Sequence, residues 1–469
     1  MKDQSMARTL FEKIWDYHLV AKRHDGRELI YIDRHAVHEL HAPHAFGDLD
    51  TSGRSVRRRD LTMVVQDHTV PTRLDLPAGS RHIDATRLGA KKYQVRLIEV
   101  AEAAHGIVHV VTPELGVALP GLTLACPDSH ASTVGALGCL AFGCGTTELG
   151  HVLTTQTMAL VKPKQMRINF KGSLGWGVGA KDLALHLIRT LGVDAGRGYA
   201  VEYAGEVIST MDVEARMTLC NMTIEWGGRT CLIAPDEKTL AFCKGRAAAP
   251  KGQEWDAAVA WWQTLATDAD AIFDREIDID CSEVAPQITW GTDPAQSIGI
   301  TEIIPSPMAA EASGQARTQG ALDYMGLVSG DEIRGIPIDR VFIGSCSNSR
   351  LSDLRLAAGV VRGRRVASGV TAIVVPGSST VKREAESEGL DRVFIDAGFE
   401  WRNSGCSMCA GANGDVGQAG ERVVSTTNRN FENRQGRGVR THLASAAMAA
   451  AAAVSGCIVD VRDLLPQED

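Results

Sequence analysis

The 469-residue chain has no surplus of positive charge: 57 Asp and Glu against 49 Lys and Arg leave a formal net charge of -8. A general nucleic-acid binder needs the opposite balance, because each neutralised phosphate takes a Lys or Arg, so an RNA-binding role is disfavoured. The longest apolar run, Leu443 to Val454, is Ala-rich and falls short of the roughly 20 residues that a bilayer demands. It reads as a buried helix, and no membrane is implied. Met1 to Leu10 holds no apolar leader-like stretch, and an odd count of 11 cysteines cannot all pair, so a reducing cytoplasm is expected. No second C-x-x-C exists to complete a zinc site. Gly172, Gly175, Gly177 and Gly179 follow neither the G-x-G-x-x-G nor the P-loop spacing, and no nucleotide is assigned. What remains, 44% hydrophobic and 23% charged residues, suits a globular protein of about two to four domains with substantial cores.

What the chain does have is a set of cysteine loops. Gly405-Cys406-Ser407-Met408-Cys409 puts two thiols two residues apart beside a glycine that permits a tight turn. Gly344-Ser345-Cys346-Ser347-Asn348-Ser349-Arg350 places a third thiol about 60 residues earlier. By itself C-x-x-C is more often a zinc half-site or a thioredoxin-like redox pair than a cluster ligand. Three thiolates, however, suit an iron–sulfur cube with one iron uncovered, where an electron-transfer ferredoxin closes all four positions. An uncovered iron is a Lewis acid for a substrate hydroxyl or carboxylate. Cys126, Cys139, Cys144, Cys220, Cys231, Cys243, Cys281 and Cys457 lie mostly in apolar or small-residue runs and read as buried reduced thiols.

Along the chain, Thr9 to Leu19 has the period of an amphipathic helix, and Leu29 to Asp33 reads as a buried strand ending in Asp33-Arg34-His35. Thr62 to Gln66 predicts a strand that ends at Asp67-His68. Gly106 to Val110 predicts another with His109 inside it, and Leu122 to Cys126 runs into Pro127-Asp128-Ser129-His130. These runs deliver His68, His109 and His130, two of them close to an aspartate. Loops at the carboxyl ends of strands converge on the site of an open α/β sheet, and an aspartate holding one imidazole nitrogen raises the basicity of the other. One such pair is more often a turn aspartate beside a structural histidine; two pairs tip the balance. A helix is expected over 148–160, a strand over 166–170 and a helix from Ala180-Lys181-Asp182. Glu225 follows Leu219 to Ile224 in an apolar helix, where burial would raise its pKa or recruit a cation. Lys251 to Asp278 predicts a helix and a connection, and Ala309 to Gln319 a linker. Strands are expected at 340–343 and 371–375. Arg429 and Arg434, on a glycine-bearing loop, offer guanidinium groups to a small dicarboxylic acid.

Asp128-Ser129-His130, the Gly344 to Arg350 loop, Gly405 to Cys409 and Asn428-Arg429-Asn430-Phe431 together resemble the aconitase superfamily. The wider text, from Tyr31-Ile32-Asp33-Arg34-His35 through Arg216 to Met222 and on to Gln435-Gly436-Arg437-Gly438, is most similar to the large subunits of bacterial 3-isopropylmalate dehydratases. The likeness covers nearly the whole chain. It implies an α/β fold of three domains around a central iron–sulfur cluster: residues 1–165 with the Asp-His loops, 166–290, and 291–469 with most cluster and arginine loops. It also implies one [4Fe-4S] cluster per subunit, held by Cys346, Cys406 and Cys409.

Asp67, His68, His109, Asp128, His130 and Glu225 become the catalytic groups by this resemblance, with Arg429, Arg434 and Ser129 facing the substrate. His68, held by Asp67, would donate the proton, and Asp128 with His130 would position water. The implied reaction isomerises 2-isopropylmalate and 3-isopropylmalate through 2-isopropylmaleate by dehydration and rehydration, in leucine biosynthesis. The swivelling domain that supplies a serine base in single-chain aconitases has no counterpart here. A separate small subunit is therefore the expected partner, and a small hydroxy-dicarboxylate the expected substrate. Pro127, Ala131, Ser404, Ala410, Ala412 and Asn433 depart from the usual pattern, which brings a maleate or citraconate hydratase into view as an alternative.

Overall fold

In the computed structural model, which describes residues 7–73 and 80–465, the short apolar runs become inner strands of parallel sheets. Such strands are buried on both faces and so lose the alternation of a half-exposed strand. β1 (Arg34–His38), β2 (Thr62–Val65), β3 (Arg96–Ile98), β4 (Thr123–Cys126) and β5 (Leu140–Gly143) form one sheet in the order β3-β2-β1-β4-β5. All its pairings are parallel, with His35 opposite Thr62 and Arg34 opposite Leu124. β6 (Lys164–Lys171), β7 (Tyr199–Ala204), β8 (Thr230–Leu232) and β9 (Arg275–Asp280) form a second parallel sheet, β8-β7-β6-β9. A third, β12-β11-β10-β13-β14, contains β10 (Arg340–Ile343), β11 (Thr371–Val374), β12 (Glu400–Trp401), β13 (Arg422–Ser425) and β14 (Arg440–Leu443).

The first and third sheets share one winding. Each runs outward from its central strand, then returns to the other side of that strand, so the order reverses between β1 and β4 and again between β10 and β13. At such a reversal the connections leave on opposite faces and open a crevice at the carboxyl ends of the strands. Those ends carry His38, Asp67, Asp128, Cys346 and the segment leading to Arg429.

Helix α1 (Leu10–Tyr17) is fixed by a capping box between Thr9 and Glu12 and buries Leu10, Phe11, Ile14 and Trp15. Trp15 meets Phe142 edge-on at 6.2 Å. From there one apolar core continues beneath the first sheet to Phe170, Tyr203 and Trp226 of the second. A separate core surrounds the third sheet, where α5 (Leu351–Val361) packs on α6 (Ala446–Ser455). The buried alanines 449–453 of α6 let the helices approach closely, and the expected buried helix is this one. Among the described residues no helix is long and apolar enough to cross a membrane. The start of the chain read for a leader lies partly on residues 1–6, outside the described residues.

Several expectations need correction. Gly106 to Val110 is not a strand: His109 lies on helix α2 (Val108–Glu114), whose β-branched residues imitate a strand pattern. The Val110 and Val111 amides turn back onto the Ile107 carbonyl, at 2.8 and 2.9 Å. Arg34 and His35 do not end a strand but begin β1, while Glu28–Tyr31 is the middle strand of a small antiparallel sheet. The segment 148–160 divides into a helix, Thr146–Thr155, and a strand, Thr157–Leu160, with Gln156 left-handed at the break (φ 59). Ala309 to Gln319 is no linker, because Ala312–Met325 is helical. The segment 251–278 holds the helix Gln253–Trp262 but closes into β9. Glu225 sits not in helix α4 (Val213–Asn221) but on the 3-10 turn Met222–Trp226 that continues it.

Candidate active site and metal centre

At the carboxyl end of β2 the Asp67 carboxylate, fully buried, accepts two bonds. His68 Nδ1 reaches Oδ1 at 2.6 Å, and the Val108 amide reaches Oδ2 at 2.8 Å. Val108 opens α2, which has no side-chain cap of its own, so Asp67 both orients His68 and caps the helix that presents His109. Glu39, at the end of β1 and also fully buried, accepts the amides of Asp67, His68 and Thr69 at 3.0, 2.7 and 2.5 Å. That clamp fixes the Asp-His turn.

His38, Glu39, Asp67 and His68 bring donor atoms within 4.8 Å of one another. With their carboxylate oxygens already taken by N–H donors, they form a hydrogen-bond hub. His38 stacks on His68 at 4.3 Å between ring centres, and burial with the nearby His68 charge holds its pKa down to about 4.

A chain of contacts leads on from His68. Its Nε2 lies 3.7 Å from Asp128 Oδ2, and His109 Nε2 lies 2.7 Å from Asp128 Oδ1. The same Oδ1 accepts the His130 amide at 2.8 Å, while His130 Nε2 meets Glu225 Oε1 at 2.7 Å. Arg429 Nε donates to Glu225 Oε2 at 3.0 Å, and its Nη2 donates to Ser129 Oγ at 2.9 Å. Asp67, His68, His109, Asp128, Ser129, His130, Glu225 and Arg429 therefore form one network. Arg434 is on the same loop but turns aside. Its guanidinium lies 5.3 Å from the Phe431 ring centre, and its Nε is buried without a partner.

The electrostatics follow from burial opposed by pairing. Burial works against the Asp67 and Asp128 carboxylates, but His68 on one side and His109 with His130 on the other hold both pKa values below the usual range. Glu225 is also lowered, by His130 and Arg429, despite burial. His68 is raised in spite of burial because Asp67 and Cys406 stabilise its charge, and His130 is raised by Asp128 and Glu225. Imidazole and carboxylate groups thus alternate along the network, an arrangement that can hold and deliver protons.

One of the two cysteine loops is bonded to this network. The Cys406 amide donates to the Asp67 carbonyl at 2.9 Å, which ties the third sheet's loop to the first sheet's proton carrier. Cys346, Cys406 and Cys409 are buried and unpaired. Asn221 Nδ2 donates to Cys346 Sγ at 3.1 Å and Asn428 Nδ2 to the same sulfur at 3.5 Å, while Ser345 Oγ lies 3.2 Å from Cys409 Sγ. Donors aimed at sulfur favour thiolate, yet burial pushes Cys346 up to about 12 and Cys406 well above the ordinary thiol value. A metal that replaces the protons resolves that conflict, so the donor set fits a thiolate-held cluster.

Ser345 and Ser407, each adjacent to one of these cysteines, have left-handed backbone (φ 80 and 46). Strain of about 1–2 kcal/mol each is held by packing and by hydrogen bonds such as Ser407 Oγ to Asp415 at 2.8 Å. Asn433, which stands where glycine is common, is also left-handed (φ 66), a conformation asparagine tolerates. Ser404 leaves a buried hydroxyl without a partner.

Sequence reasoning missed Glu39, His38, Asn221 and Lys181. His38 ends β1 and Glu39 follows it, on a second strand that the sequence reading did not separate from the run Leu29 to Asp33. Asn221 sits one helical turn before Glu225, a spacing that would place both on one side of the chain's path.

Residues 12–456 match the aconitase family (aconitate hydratase). Among solved structures, the holo-form crystal structure of aconitase X from Thermococcus kodakaraensis is similar at 12% identity and a TM-score of 0.44, covering 86% of this chain and 84% of that one. With the family match spanning nearly all of its length, the chain belongs to the aconitase family and is a hydro-lyase of that family.

Proposed function

We propose that this chain is the large catalytic subunit of a 3-isopropylmalate dehydratase, which isomerises 2-isopropylmalate and 3-isopropylmalate through 2-isopropylmaleate in leucine biosynthesis. The observation that carries the reading is the Cys406 amide bonded to the Asp67 carbonyl, because it sets the loop of Cys406 and Cys409 directly against the proton-carrying Asp67-His68 pair. Cys346, Cys406 and Cys409 would hold one [4Fe-4S] cluster, which when bound supplies a Lewis-acidic iron to a leaving hydroxyl. Asp67 fixes the tautomer of His68, so Nε2 is the atom that donates a proton to the departing oxygen. Asp128, which accepts from His109 and the His130 amide, orients the water used in rehydration. Arg429, anchored on Glu225, turns its second arm past Ser129 toward a carboxylate.

In this proposal the three sheets mark domains near 1–165, 166–290 and 291–469. A separate small subunit brings the swivelling domain and its serine base. Pro127 and Ala131 flank the Asp128-Ser129-His130 turn, and their departure from the usual residues supports maleate or citraconate hydration as the second reading.

The test is anaerobic co-expression with the small subunit, followed by comparison of 2-isopropylmalate, citraconate and maleate. Preferential turnover of 2-isopropylmalate, dependent on the small subunit, is expected. Preference for either of the others would transfer the assignment, and material without iron and sulfide would overturn it.

A further inference from the structure

Lys181 is 1% exposed, and among the described residues it makes no ion pair. Its Nζ donates to the Thr427 carbonyl at 2.6 Å and the Thr426 carbonyl at 3.4 Å, with Ser347 Oγ and Met222 Sδ each at 3.5 Å. All of these acceptors are neutral. The lysine also lies in the first turn of α3 (Ala180–Leu191), where the helix dipole disfavours a cation. Burial and dipole both work against this ammonium, and neutral oxygens offset only part of a cost of several kcal/mol. Ser347 follows Cys346, and Asn428, next after the Thr427 carbonyl, donates to the Cys346 sulfur, so these contacts border the thiol loops. The ionisable groups whose field favours the ammonium are Cys409, Glu225, Cys346 and Asp353. Glu225 is already taken by His130 and Arg429, and Asp353 by Asn348 and the Arg350 amide. The cysteines remain.

We infer that Lys181 is a positioning residue for the cluster, a fixed counter-charge to the anionic three-thiolate assembly that also pins the Thr426–Thr427 carbonyls preceding Asn428 and Arg429. The inference rests on the proposed cluster. Three thiolates around a doubly positive [4Fe-4S] core carry one net negative charge, and reduction by one electron adds a second. A cation buried nearby stabilises both states and the reduced state more.

The test uses the full chain, reconstituted anaerobically, as wild type, Lys181→Gln, Lys181→Met and Lys181→Arg. Lys181→Gln keeps an N–H donor on a side chain one atom shorter and removes the charge. The expected result is a cluster midpoint potential moved to a more negative value in Lys181→Gln and Lys181→Met and returned toward wild type in Lys181→Arg, with iron lost in air several-fold faster from the two neutral variants. Neutral variants that hold four irons at the wild-type potential would overturn the inference.

Folding supplies a second readout. A cation buried without its anion is a burden to the apo protein, so apo Lys181→Gln should unfold at or above the wild-type temperature. Its failure to fold, or a lower midpoint, would mean that Lys181 is only a structural tie. A wild-type chain that binds no iron and sulfide would instead sink the cluster assignment, whatever the variants do.

Discussion

Replacing Glu114 by Gln tests how a carboxyl beneath the site is held. Glu114 closes α2, the helix that presents His109, and accepts the Ser378 hydroxyl at 2.9 Å. It shares a cavity of about 40 Å³ with Glu214, Arg246, Arg350 and Glu384. Burial lifts its pKa from 4.5 to about 7, although the Ser378 bond, Arg246 and Arg350 pull the other way. A folded-state pKa above the unfolded one means that the carboxyl costs nothing below pH 4.5. Stability is then lost as the pH rises through about 7. At about 1.4 kcal/mol per tenfold change in proton affinity the loss is at most about 3.5 kcal/mol, and partial solvent contact brings it to about 3 or less.

Gln keeps a hydrogen-bonding partner for Ser378 and cannot ionise. For a chain of 469 residues the unfolding entropy is about 1 kcal/mol per degree if the chain melts as one unit, so the effect is up to about 3 °C. Thermal unfolding of both proteins from pH 5 to pH 8 should show the wild-type midpoint falling by up to about 3 °C more than that of the variant. Parallel curves, or a wild-type midpoint that gains on the variant as pH rises, would refute the reasoning.

Asp67→Asn leaves His68 without its counter-charge and is expected to lower kcat about 10²- to 10⁴-fold on the preferred substrate, with cluster content retained; an unchanged kcat removes His68 from the proton path. Arg429→Lys cannot reach Glu225 and Ser129 together, so KM should rise about tenfold; an unchanged KM would place the substrate carboxylate elsewhere. Asn221→Ala deletes a donor to the Cys346 sulfur worth about 1 kcal/mol, and iron release in air, followed by absorbance, should be several-fold faster than in wild type. Equal release rates would show that the amide does not protect the thiolate.

The sequence by itself determined the chemistry-bearing loops and the elements beside them. Cys346, Cys406 and Cys409 announce themselves by spacing and by neighbouring glycines, and the apolar runs before Asp67 and Asp128 are unbroken because parallel strands bury both faces. It misplaced His109, since the β-branched run around it fits a strand as well as a helix until a carboxylate from a distant turn caps Val108. Whether Asp67 reaches Cys406, whether Glu225 joins His130 to Arg429, and that Lys181 ends on the Thr426 and Thr427 carbonyls were decided only by tertiary structure. Local pattern reports the conformation of neighbours along the chain. Contacts between residues tens to hundreds of positions apart depend on how two wound sheets present their strand ends, and no periodicity encodes that.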